Sequence, residues 1–72
     1  MPLASLTTTI AHTPFAMARA ERNARACFDA AERSLVSPRA KASLIAAGRH
    51  WVREGIEAFH RGDMARRSLP RG

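Results

Sequence analysis

The chain has no tyrosine, one tryptophan and three phenylalanines, so large apolar side chains are scarce for its 72 residues. At this length a single core barely offsets the entropy of the chain, and so little bulk sharpens the shortage. One cysteine, Cys27, excludes an internal disulfide and a cysteine-built zinc site, and it fits a reducing compartment. No run approaches the roughly 18 apolar residues of a membrane span. The amino terminus lacks the basic start and continuous apolar stretch of a secretory signal, and Pro2 and Pro14 interrupt any amphipathic presequence helix. The expected location is the cytoplasm.

Acids are few as well, six against twelve basic residues, for a formal charge of +6. That balance favours acidic partners such as nucleic acid, an anionic membrane or an acidic protein face. Eleven arginines against one lysine is also what a GC-rich coding sequence produces without selection for binding. What the chain does have is alanine, fifteen residues of it, which brings helix propensity and close helix packing. An all-α fold is expected.

Two signals place the helices. Thr13-Pro14 and Ser37-Pro38 each set a hydroxyl residue able to cap a helix before a proline suited to its first turn. The first helix is expected from Pro14 to about Leu35, and the second from Pro38 to about Arg61 with Gly62 as a left-handed carboxy-terminal cap. Only Val36 and Ser37 separate them, which forces an antiparallel hairpin. Pro2 to His12, with three consecutive threonines, reads as an extended arm (residues 1–12). The hairpin occupies 13–62, and residues 63–72 form a flexible basic tail.

The first helix carries a narrow stripe of Met17, Ala20, Ala24, Cys27, Phe28, Ala31 and Leu35. The second is broader, with an apolar arc of about 180° against the stripe of about 100° that a surface helix needs. Leu44, Ala47, Trp51 and Ala58 form one flank of it, and Ile45, Val52, Ile56 and Phe59 the other, with Gly48 and Gly55 between. Glycine inside a helix costs about 1 kcal/mol relative to alanine, so both call for a close backbone approach. Ala20, Ala24 and Ala31 of the first helix could supply it, and so could the glycines of a second subunit. One flank is left over in either case, at a spacing that resembles a coiled-coil seam. A homodimer joined there would be a four-helix bundle. Cover by Leu3, Leu6 and Ile10 of the arm, or by a foreign partner, would also serve. The expected interface is therefore Ile45, Gly48, Val52, Gly55, Ile56 and Phe59.

No constellation of catalytic residues stands out. Cys27 sits mid-helix in an apolar stripe, where neither a base nor a depressed pKa is expected, and reads as structural. His50, Glu54, Glu57 and His60 have one-turn spacing, and Glu57 with His60 matches the Glu-x-x-His of di-iron bundles. They project from the polar side of the second helix, and the first helix offers no carboxylate in its stripe. They read as surface pairs, Glu54 with His50 and Glu57 with Arg53 and Arg61. No metal or other cofactor is expected, and no enzyme.

An anionic partner would meet Arg19, Arg22 and Arg33 on the first helix, Arg49 and Arg53 on the second, and Arg66 and Arg67 in the tail. Asp29, Glu32, Glu54 and Glu57 dilute both faces, and only Trp51 is a candidate for base stacking. The spacing Gly55-x-x-Ala58-x-x-x-Gly62 followed by Pro70 is similar to part of ribosome modulation factor, a small basic ribosome-binding protein. It covers under a quarter of the chain, and the cysteine and tyrosine expected around that proline are absent. The resemblance implies no more than a ribosomal partner among the candidates. The residues point first to a non-enzymatic interaction protein, of adaptor or inhibitor type, that binds a larger protein or nucleoprotein. A nucleic-acid- or ribosome-associated factor is the second reading, and attachment to a membrane surface through the wide face the weakest.

Overall fold

The computed structural model describes residues 3–33 and 37–70. They form two α-helices, α1 (Leu3–Arg33) and α2 (Pro38–Arg67), packed against each other in an all-α hairpin 57 Å long between extreme Cα atoms. The direction is antiparallel: Phe28 of α1 meets Gly48 of α2, Ala20 meets Gly55, and Thr13 meets Gly62. The expected end of the first helix at Leu35 and the connecting Val36 lie outside the described residues.

α2 begins where the sequence places it. Ser37 is the cap, its Oγ accepting from the Ala40 N–H at 3.3 Å, and Pro38 opens the first turn, where a missing N–H costs nothing.

α1 does not begin at Pro14. The stretch expected to be an extended arm is helix from Leu3, and Pro14 lies inside α1. Threonine disfavours helices partly because its hydroxyl competes for backbone groups. Here the hydroxyls are spent within the helix itself. Thr8 donates to the Ala4 carbonyl at 2.8 Å, Thr9 to Ser5 at 2.9 Å, and Thr13 to Thr9 at 2.7 Å. Thr13 is thus a helix-interior residue and not a cap. Proline in a helix interior costs about 3 kcal/mol, through a lost hydrogen bond and a clash with the preceding turn. Packing beyond it compensates, because Leu6 is 5% exposed, the one bulky side chain among the buried apolar residues.

Gly62 is likewise not a terminator. It is buried inside α2, and no glycine among the described residues has positive φ. The helix continues through Asp63–Arg67, so the first half of the expected flexible tail is ordered structure. It ends at Ser68, whose N–H donates to the Met64 and Ala65 carbonyls and whose hydroxyl donates to Met64 at 2.9 Å. Both departures have one cause. The amino-terminal extension of α1 and the carboxy-terminal extension of α2 lie side by side, and each supplies the surface that makes the other worth ordering.

The seam between the helices is made of small residues. Ala20, Ala24, Ala31, Ala58 and Ala65 are 3–6% exposed, and with Leu6 they form the buried apolar core. Gly48, Gly55 and Gly62 recur every seven residues on the side of α2 that faces α1. A Cβ built on Gly48 would stand 2.6 Å from the Phe28 ring, and one on Gly62 would stand 2.7 Å from Thr13 Cγ2. At Gly55 the nearest neighbour, Ala20 Cβ, is 3.3 Å away. The compensation that mid-helix glycines require is therefore found within the hairpin.

Candidate interaction face

Small seam residues leave the large ones outside. Met17 is 38% exposed, Val52 45%, Ile56 51% and Phe59 52%, well above the core alanines. These four lie on one side of the hairpin and, with Ile10 and Pro14, line an open groove of about 1000 Å³ between the helices. Val52, Ile56 and Phe59 follow the alternating four- and three-residue steps of a helix seam, which stack them on one edge of α2. Pro14 and Met17 belong to the facing edge of α1, one turn apart. Isolated apolar side chains at a surface are ordinary, whereas a contiguous concave set of this kind is not.

Four charged residues share the groove. Glu21 and Arg25 come from α1, joined to each other at 3.1 Å. Asp63 and Arg66 come from α2, and Asp63 is held at 3.1 Å by Arg67. Because the helices are antiparallel, Asp63 and Arg66 lie toward the Ile10 end and Glu21 and Arg25 toward the opposite end. Each end carries one acid and one base.

The structure divides the residues expected at the interface. Val52, Ile56 and Phe59 are exposed on this face, and Ile45 is half-buried further along it. Gly48 and Gly55 are turned toward α1 and line the seam. The arm does not fold back over the flank: it is part of α1, with Leu6 against the end of α2, Leu3 56% exposed and Ile10 alone of its three bulky residues lining the groove. Residues that sequence reasoning missed are those of α1: Ile10 and Pro14 were assigned to the arm and to a helix start. Their spacing with Met17 gave the available signal, once α1 is allowed to run through the proline.

The arginines expected to meet an anionic partner are not gathered into one patch. Arg22 and Arg33 lie on the side of α1 away from α2, whereas Arg49 and Arg53 lie on the outward side of α2, with the hairpin between the two groups. Arg19 reaches over the Trp51 ring, its guanidinium carbon 5.9 Å from the centroid, at the outer limit of a cation–π contact. Arg33 donates to the Asp29 carbonyl at 3.4 Å, Arg66 lines the groove, and Arg67 pairs with Asp63. An exposed aromatic that the sequence did not single out is Phe15, 75% exposed on the outer side of α1, one turn before Arg19 and two before Arg22.

Of the pairs expected on the polar side of α2, Glu57 meets Arg61 at 4.0 Å, while His50 lies edge-on to Trp51 with ring centroids 5.4 Å apart. No group of three or more histidine, cysteine or acidic side chains is placed to hold a metal ion among the described residues. Cys27 is half-buried. Neither described helix is long and apolar enough to cross a membrane. Comparison with protein-family models, curated proteins and solved structures finds no match for the chain.

Proposed function

We propose that this protein is a non-enzymatic interaction module, an adaptor or inhibitor of a larger protein or nucleoprotein, and that the Met17–Val52–Ile56–Phe59 face is a protein-binding surface. The observation that supports the reading is the placement of bulk. The hairpin closes largely with alanine and glycine, and Met17, Val52, Ile56 and Phe59 stand 38–52% exposed along one groove. Binding there would follow the helix-in-groove mode, with apolar anchors supplying affinity and the charged ends supplying register. A cytoplasmic setting, compatible with one reduced thiol, belongs to the same reading.

Phe15 favours a second reading. An exposed aromatic beside Arg19 and Arg22 is the combination that stacks on bases while neutralising phosphates, so a nucleic-acid- or ribosome-associated factor remains the alternative. Capture of host components on the immobilised chain separates the two. Retention in high salt together with loss in Phe59→Asp is the outcome expected for the apolar face. Capture that is abolished by salt or nuclease and by Phe15→Ala with Arg22→Glu, yet survives Phe59→Asp, would replace it with the second reading.

A further inference from the structure

We propose that the occupant of the groove is a second copy of this chain, turned end for end, so that two hairpins close into an antiparallel four-helix bundle. The inference rests on the reading of the groove as a protein-binding face and names its partner.

Three observations carry it. The first is the hairpin's own shortage of core: no large side chain among the described residues is completely buried, and the buried apolar set is Leu6 with five alanines. A chain of this size needs more apolar burial than that to stay folded. A partner on which folding depends must be present whenever the chain is, and a second copy meets that condition by definition.

The second is charge. The chain carries +6 overall, yet the groove holds Glu21, Arg25, Asp63 and Arg66, two acids and two bases that cancel. An anionic polymer or lipid surface gains nothing at such a site. End-for-end superposition sets the Asp63–Arg66 end of one copy over the Glu21–Arg25 end of the other, at both ends at once, as two-fold symmetry requires.

The third is extent. The groove runs from Ile10 to Arg25 on α1 and from Trp51 to Arg66 on α2, about 23 Å at 1.5 Å per residue, so a helical hairpin laid end for end can engage it over several turns. Two-fold pairing across this side leaves Phe15, Arg22 and Arg33 outside and in duplicate, free for any further target.

The test is the molar mass of the full chain by light scattering through a dilution series, with circular dichroism on the same samples. The expected mass is twice 7.9 kDa, with helical signal and dimer lost together on dilution, and Ile56→Asp monomeric and largely unfolded at every concentration. Because that variant could fail for its own reasons, charge exchange supplies an independent reading. The proposed superposition brings Asp63 of each copy toward Arg25 of the other, so Asp63→Arg and Arg25→Glu should each weaken the dimer about tenfold through the two symmetric pairs. The double variant should recover to within about threefold of the parent. Within one chain the two positions are separated by about 18 Å along the helices, so recovery reports contact between copies.

A fully helical monomer at submillimolar concentration overturns the proposal, and so does a double variant as weak as the product of the single ones. If that monomer still captures a host protein through Phe59, the preceding reading stands without this one. If Phe59→Asp changes nothing in any binding measurement, both fall.

Discussion

The seam between the helices and the groove beside it are built from opposite materials. The seam is closed mainly by alanine, glycine and threonine, with Leu6 and the Phe28 ring on Gly48 as its large members and its alanines 3–6% exposed, whereas the open groove is rimmed by methionine, valine, isoleucine and phenylalanine. Backbones approach most closely where side chains are smallest, and each large side chain would hold them apart. The chain thus spends its small residues on bringing two helices together and leaves Met17, Val52, Ile56 and Phe59 on a surface that the hairpin does not cover.

Substitutions that exchange the two materials test the contrast. The largest effect is expected from Gly62→Val, which drives a branched side chain into Thr13. That residue cannot retreat, because its hydroxyl is held to the Thr9 carbonyl at 2.7 Å and its own Cβ is 3.0 Å from the position the new Cβ would take. Overpacking of this kind costs about 3 kcal/mol, read as a shift of the urea midpoint at fixed protein concentration. Leu6→Ala comes next. It removes the one bulky side chain among the buried apolar residues, for a loss of about 2 kcal/mol at the low end of leucine truncations, since Leu6 borders a hollow that can partly collapse. Hydrogen exchange should show the loss concentrated before Pro14. Smallest is Gly55→Ala, where a gain of about 1 kcal/mol in helix propensity meets an added methyl 3.3 Å from Ala20 Cβ. The net change should lie within about 1 kcal/mol of zero, and a loss as large as that of Gly62→Val would show that the seam is uniformly tight.

Much of the hairpin was legible from residues alone. Ser37-Pro38 gave the start of α2 because a cap and a first-turn proline act locally, and the structure has the Ser37–Ala40 hydrogen bond they require. The excess of apolar arc on α2 was legible for a similar reason: periodicity counts side chains without needing to know what they touch. The beginning of α1 was not. Three threonines and a proline argue against helix one residue at a time, and what overrides them is tertiary, the burial of Leu6 beside an α2 that is itself longer than expected. Gly62 shows the same limit. A glycine after a helical stretch terminates it or lets a neighbour come close, and the residue type serves both. Its spacing of seven from Gly55 was the available sign that it continues the line of Gly48 and Gly55.

For the candidate site, the α2 half was legible and the α1 half was not, since Ile10 and Pro14 join the groove only if α1 extends past the proline. The charged ends were beyond reach as well. Glu21 and Asp63 lie on different helices, and their common face depends on the rotation of each helix about its own axis, which is set by the glycine contacts.

That glycine line has a consequence in time as well as in space. Phe28 with Gly48 closes the shortest loop around the connection, Ala20 with Gly55 a longer one, and Thr13 with Gly62 the longest. The entropy of closure grows with loop length, so contacts near the connection are the least expensive to form first. The order of assembly this predicts is that of a zip fastener from the closed end, the three equally spaced teeth engaging in turn with Gly62 on Thr13 as the last.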